Sequence, residues 1–163
     1  GGACRRLMRV VIAAVGRMKS GPEKALCDDY LGRFARGGRA LGLGPAQLCE
    51  VEDKRGTGMA GEAALLIRAL PEDGFLCALD ERGAMLASPA FAALLAGWRD
   101  KGRGAAGFVI GGADGLDPSL RHRADAVLSF GAMVWPHMLA RVMLAEQLYR
   151  ATTILAGGPY HRV

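Results

Sequence analysis

Apolar residues in this chain come in short blocks divided by glycine-rich and charged stretches, and the blocks alternate between strand-like runs and helical spacing. Val10–Val15 is an unbroken apolar run that predicts a central strand. Ser20-Gly21-Pro22-Glu23 marks a helix start with proline in the first turn, and the helix is expected to reach about Ala35 and end before Gly37-Gly38. Arg36, Gly37, Gly38, Arg39, Gly42 and Gly44 then read as a flexible basic loop. Gln47–Val51 alternates weakly as a second strand, residues 52–58 form a charged loop, and Gly61–Leu70 is helical until Pro71 closes it. Phe75–Leu79 is a third strand ending in Asp80-Glu81-Arg82-Gly83. Ser88-Pro89 caps a helix with Phe91, Leu94, Leu95 and Trp98 on its apolar side. Phe108–Ile110 is the fourth strand, Asp117-Pro118 opens a short helix to about Arg123, and Ala126–Leu128 is a short fifth strand. Pro136 opens a long helix to about Leu155, stopped by Gly157-Gly158-Pro159.

This alternation predicts a single α/β domain with a mostly parallel sheet, spanning residues 8–163. Residues 1–7 show no pattern and are expected to be a disordered or non-native leader, with Met8 as the natural start. The last helix is apolar nearly all round (Met138, Leu139, Val142, Met143, Leu144, Ala145, Leu148, Tyr149), so it wants burial on two sides. One side suits the sheet and the other a second copy of the chain. Arg141, Glu146, Gln147 and Arg150 are its polar interruptions.

Composition narrows the classes. A chain of 163 residues with 51% hydrophobic content can bury a real core, which argues against disorder. A formal charge of +5 fits a nucleic-acid partner and an ordinary basic enzyme equally well. Cys4, Cys27, Cys49 and Cys77 form no C-x-x-C pair, and no histidine stands at ligand spacing from them, so reduced thiols in a cytoplasmic protein without a metal are expected. Arg5, Arg6 and Arg9 before Val10–Val15 imitate a signal peptide, but the apolar run is short and no small-x-small cleavage site follows. No segment is long enough to span a membrane.

The candidate chemistry lies late in the chain. In Phe108-Val109-Ile110-Gly111-Gly112-Ala113-Asp114-Gly115 a buried strand runs straight into glycines, and open α/β sheets bind ligands beyond the carboxyl ends of their strands. Neither G-x-G-x-x-G after the first strand nor a Gly-Lys-Ser/Thr phosphate loop is present. A ligand read by main-chain groups, such as adenosine, and a tight ligand-free turn both remain open. Ser129–Pro136 carries Phe130, Met133 and Trp135, which suit either a pocket wall or plain core packing.

Ile110-Gly111-Gly112-Ala113-Asp114-Gly115-Leu116, Leu128-Ser129-Phe130, Met133, Pro136-His137, Arg141-Val142, Glu146-Gln147-Leu148-Tyr149-Arg150-Ala151 and Pro159-Tyr160-His161-Arg162 together resemble the ribosomal RNA large-subunit methyltransferase H family of the SPOUT superfamily. The resemblance runs from Met8 to the end. It implies a mostly parallel sheet flanked by helices, a C-terminal trefoil knot and a homodimer. It implies S-adenosylmethionine as methyl donor and N3 of a pseudouridine in 23S ribosomal RNA, on the ribosome, as the acceptor. By motif, Leu79, Gly111, Phe130, Gly131, Ala132, Met133, Val134 and Trp135 would touch the cofactor. Tyr160, His161 and Arg162 would reach the active site and RNA across the dimer: His161 for proton handling or uracil orientation, Tyr160 to stack on a base, Arg162 for phosphate.

His137 reads as structural, His122 between Arg121 and Arg123 as part of a solvated helix face, and Asp114 as orienting the glycine turn or capping the next segment. Arg36, Arg39 and Arg55 are expected to add RNA affinity. The family often has Ser and Lys near Gly131 and Ala132 and Thr at Val134, so side-chain hydrogen bonds are missing there, and it commonly has Pro-Glu at Ala113-Asp114, where the acid is kept. A nucleotide-binding α/β enzyme of other chemistry and a non-catalytic ribosome-associated dimer are the competing readings.

Overall fold

The computed structural model describes residues 6–161, with only the main chain of His161. Its elements are β1 (Met8–Val15), α1 (Pro22–Gly38), β2 (Leu43–Val51), α2 (Gly58–Ala69), β3 (Phe75–Ala84), α3 (Ser88–Asp100), β4 (Ala105–Ile110), α4 (Pro118–Arg123), β5 (Ala126–Leu128) and α5 (His137–Leu155). The five strands make one parallel sheet in the order β2-β1-β4-β3-β5. Every residue of β4, at the middle of the sheet, is buried.

Strand residues alternate between two cores, as the period of two requires. Val10, Ile12, Cys77, Phe108 and Ile110 face α1, α3 and α5 with Phe34, Phe91, Leu95, Leu144 and Leu148. Ala13, Leu76, Ala78 and Val109 face α2 and α4 with Ala63, Leu66 and Leu120. Each fully buried Leu or Phe of these layers stabilises the fold by about 1.5–3 kcal/mol. The helix α5 satisfies two sides within one chain, packing against α1 and α3, and leaves Leu139 exposed.

Three expectations are corrected. The basic loop from Arg36 to Gly44 is instead the end of α1, a short 3-10 turn at Arg39–Leu41 and the start of β2. Gly37 and Gly38 continue the helix because it approaches its neighbours closely: a Cβ would lie 3.0 Å from Thr152 Oγ1 at Gly37 and 3.0 Å from the Leu43 carbonyl oxygen at Gly38. Ser88 does not cap α3; Ala87 holds the cap position and the Ser88 hydroxyl donates to Gln147 Oε1 at 2.7 Å. Finally, β3 continues past Leu79 to Ala84, with an irregularity between them. Leu128 pairs with Leu79 and again with Ala84, and Ser129 N donates to the Ala84 carbonyl at 2.9 Å. Residues 79–84 thus bend around the end of β5. Gly83 permits this, since a Cβ there would fall 2.6 Å from Val127 main-chain atoms.

Cys4 and the rest of residues 1–5 lie outside the described residues, as do Arg162 and Val163. Cys27, Cys49 and Cys77 are free thiols. No helix is long and apolar enough to cross a membrane, and no group of three metal-binding side chains occurs, among the described residues.

Candidate active site

The irregularity of β3 after Leu79 and the carboxyl ends of β4 and β5 bring Leu79, Ile110 and Leu128 to one cleft of about 360 Å³. That volume lies within the range of small-ligand sites. Of the residues assigned to a cofactor by resemblance, Leu79, Gly111, Phe130, Gly131, Met133, Val134 and Trp135 all line this cleft. Ala132 is exposed in the same loop without lining it.

Gly111 opens a bend in which Gly115 N donates to the Gly112 carbonyl at 3.0 Å. A Cβ on Gly111 would lie 2.4 Å from the Gly115 carbonyl oxygen and 2.9 Å from Leu116 N. The glycine is therefore demanded by closure of the bend itself, whatever the ligand. The second wall is the loop from Ser129 to Pro136. Ser129 Oγ accepts from Gly131 N at 3.0 Å and donates to the Gly131 carbonyl at 3.1 Å, which fixes the start of the loop. Trp135 Nε1 donates to the Phe130 carbonyl at 3.4 Å. Phe130 packs on the core, whereas Met133, Val134 and Trp135 are exposed, so pocket wall and core packing are each right for part of the loop.

The charged residues of the cleft are Asp80, Glu81, Arg82 and Asp114. Asp80 has a side-chain exposure of 6% and faces two arginines, Arg82 Nη1 at 3.5 Å and Arg121 Nη1 at 3.3 Å. It also accepts from Arg82 N at 2.9 Å. Arg121 thus leaves the solvated face expected for it, while His122 and Arg123 are exposed. Asp117, not Asp114, caps α4 by accepting from Ser119 N at 3.0 Å. Its bonds to Ser119 hold its carboxyl below the usual range. Behind the bend, Glu62 comes within 3.3 Å of the Gly112 Cβ position. Burial, with Asp53 and Asp114 nearby, pushes its carboxyl upward.

His137 lines the cleft at the start of α5, a placement that its reading as a structural residue missed. One turn on, Arg141 is fully buried and donates to the Val15 and Gly16 carbonyls at 2.6 and 2.8 Å and to Glu50 Oε2 at 2.9 Å. Glu50 also accepts from Met18 N. This clamp fixes the exit of β1 against α5. Burial pulls the Arg141 guanidinium below its ordinary value, and Glu50 opposes that.

The tail goes elsewhere. Tyr160 packs on Tyr149, ring centroids 4.7 Å apart, under the Arg150 guanidinium, and donates to Glu146 Oε1 at 3.2 Å. It does not line the cleft of its own chain. Burial first, then Tyr30 and Glu146, push its hydroxyl up to about 12, so it stays a proton donor at neutral pH. The His161 side chain and Arg162 lie outside the described residues. A second, apolar cleft of about 480 Å³ shares Leu79, Leu128 and Phe130 and opens toward Tyr30 of α1 and Met143 of α5.

The family described as predicted SPOUT methyltransferase matches residues 8–161. The chain is 70% identical to the ribosomal RNA large subunit methyltransferase H of Ruegeria pomeroyi, over 96% of this chain and 100% of that protein. It is 69% identical to the protein of the same name from Paracoccus denitrificans, over 95% and 99%. Among solved structures, a probable methylase family protein from Haemophilus influenzae superposes with a TM-score of 0.51 at 14% identity, covering 96% of this chain and 70% of that one. A probable methyltransferase from Bordetella pertussis gives a TM-score of 0.50 at 16% identity, over 90% and 94%. The two structures share the fold; the sequence relatives share nearly the whole chain, so this protein belongs to the SPOUT methyltransferase family, in the group of the ribosomal RNA large subunit methyltransferases H.

Proposed function

We propose that this chain transfers a methyl group from S-adenosylmethionine to N3 of a pseudouridine in 23S ribosomal RNA. It does so on the ribosome, in the cytoplasm, as a homodimer whose C-terminal segments form a deep trefoil knot. The observation that carries this reading is the convergence of Leu79, Gly111 and the 130–135 loop on one cleft from three distant parts of the chain. The residues present fit the donor. The Gly111–Gly115 bend and the Ser129–Gly131 turn bring main chain to the wall of the cleft, each held in shape by its own hydrogen bonds, as suits a ligand read by main-chain groups. Leu79, Leu128 and Phe130 supply an apolar wall that excludes water. Loss of the polar side chains at Gly131, Ala132 and Val134 is tolerable because the loop keeps its shape through Ser129 and Trp135.

The sulfonium of the bound donor supplies an already activated methyl group. The chain's own task is alignment and removal of the N3 proton. Alignment contributes about 7–11 kcal/mol at best, and a positioned base adds roughly 10²–10⁴-fold. Support for the dimer comes from the tail and the surface. Tyr160 lies against α5 rather than in its own cleft, so a tail that serves a cleft serves the partner's. Leu26, Met85 and Leu86 expose apolar surface around the second cleft, as a subunit interface would. Support for the knot is the bend of residues 79–84 around Leu128. Exposed Arg36, Arg39 and Arg55 suit the RNA backbone.

Ribosomes lacking the modification, incubated with labelled donor, test the reading: label is expected at N3 of one pseudouridine. Donor binding without transfer would leave a non-catalytic ribosome-associated dimer. Binding of dinucleotides but not of S-adenosylhomocysteine would leave another nucleotide enzyme.

A further inference from the structure

We propose that Arg82, steered by Asp80, holds the carboxylate of the donor's amino-acid end, and that Glu81 and Asp114 face its cationic groups. This rests on the reading of the cleft as the donor site. At neutral pH S-adenosylmethionine carries one negative group, the carboxylate, and two positive ones, the ammonium and the sulfonium. The charged lining of the cleft is Asp80, Glu81, Arg82 and Asp114. Asp80 is enclosed and committed to protein partners, with Arg121 Nη1 at 3.3 Å on one oxygen and the Arg82 main-chain N–H at 2.9 Å on the other. Arg121 balances its charge. What remains is one cation, Arg82, and two exposed anions, Glu81 and Asp114. That set is the inverse of the donor's own charges.

Geometry points the same way. Arg82 Nη1 stands 3.5 Å from Asp80, and the side chain is 64% exposed, so most of its donor fork faces solvent. A guanidinium fork matches a carboxylate with two parallel hydrogen bonds. The charged residues lie on two lips of the cleft, the 80–82 turn and the Gly111–Gly115 bend. Buried Leu79 and Leu128 and half-buried Phe130 give the same cleft apolar surface. In this assignment the zwitterionic end lies at the two charged lips and the adenosine end against the apolar surface.

The test compares three ligands by calorimetry on the full chain: S-adenosylhomocysteine, its decarboxylated analogue and methylthioadenosine, which lacks the whole amino-acid end. The wild-type protein is expected to bind the decarboxylated analogue about tenfold more weakly than S-adenosylhomocysteine. Arg82→Gln should lower affinity for S-adenosylhomocysteine by about tenfold and leave methylthioadenosine within about twofold, so that the wild-type preference disappears. The wild-type comparison needs no variant and stands even if Arg82→Gln folds poorly. Equal wild-type affinity for the first two ligands overturns the assignment. So does an unchanged preference in Arg82→Gln, including the case in which that variant weakens only ribosome binding and Arg82 serves RNA phosphate. Wild-type protein that binds none of the three ligands would instead remove the donor-site reading itself.

Discussion

Arg141 carries the largest side chain wholly withdrawn from solvent among the described residues. A buried guanidinium needs partners for its donors; here Nη1 and Nη2 find Glu50 and the Val15 and Gly16 carbonyls, while Nε has none. Arg141→Ala is expected to cost about 3 kcal/mol in denaturant unfolding. In the sequence Arg141 reads only as a break in an apolar helix, because spacing records polarity and not partners. Gly111 is the converse case. It is legible as a glycine that matters, but its reason is closure of the bend over Gly115 rather than room for a ligand. Gly111→Val should abolish S-adenosylhomocysteine binding and also lower the melting temperature; full binding by that variant would separate the bend from the site. Tyr160 yields a pH prediction. Its hydroxyl is pushed up to about 12, above the unfolded value of about 10, so its bond to Glu146 persists at and below pH 10 and fails as pH rises toward 12. In a tyrosinate absorbance titration, Tyr160→Phe should delete the highest-pH step.

At the scale of elements, the alternation of strands and helices was readable, although β1, β2 and β4 begin before their apolar runs, at Met8, Leu43 and Ala105. Ala126–Leu128 and Pro118–Arg123 fall where the pattern predicts them. Boundaries failed where packing overrode local preference. The glycines at 37 and 38 look like a helix stop and are instead contact points with Thr152 and Leu43. The charged Asp80-Glu81-Arg82-Gly83 looks like an ordinary loop and is the part of β3 that curves past β5. No local pattern reports a partner more than forty residues away. Gly83→Ala puts a methyl 2.6 Å from Val127 main-chain atoms, and overpacking of that kind costs about 1–3 kcal/mol, readable in thermal unfolding. The role proposed for the C-terminal tail predicts that deletion of residues 160–163 abolishes turnover on ribosomes and leaves S-adenosylhomocysteine affinity unchanged.

For the whole molecule, the α/β class and the cleft at the carboxyl edge follow from strand alternation and the glycine bend. The bend around Leu128 and the second apolar cleft do not, because both depend on where distant segments meet. A particle of about twice the 17.1 kDa chain mass is expected in sedimentation, and a purely monomeric one would remove the shared tail. The position of Leu128 between Leu79 and Ala84 has a last consequence for how the protein comes to life. Of the two lips that would grip the donor, the 80–82 turn depends on that position, whereas the Gly111–Gly115 bend closes on itself. A chain in which Leu128 has not yet docked between Leu79 and Ala84 is expected to lack one of the two proposed grips on the methyl source. Retention of radiolabelled donor during refolding is expected to rise as that docking completes.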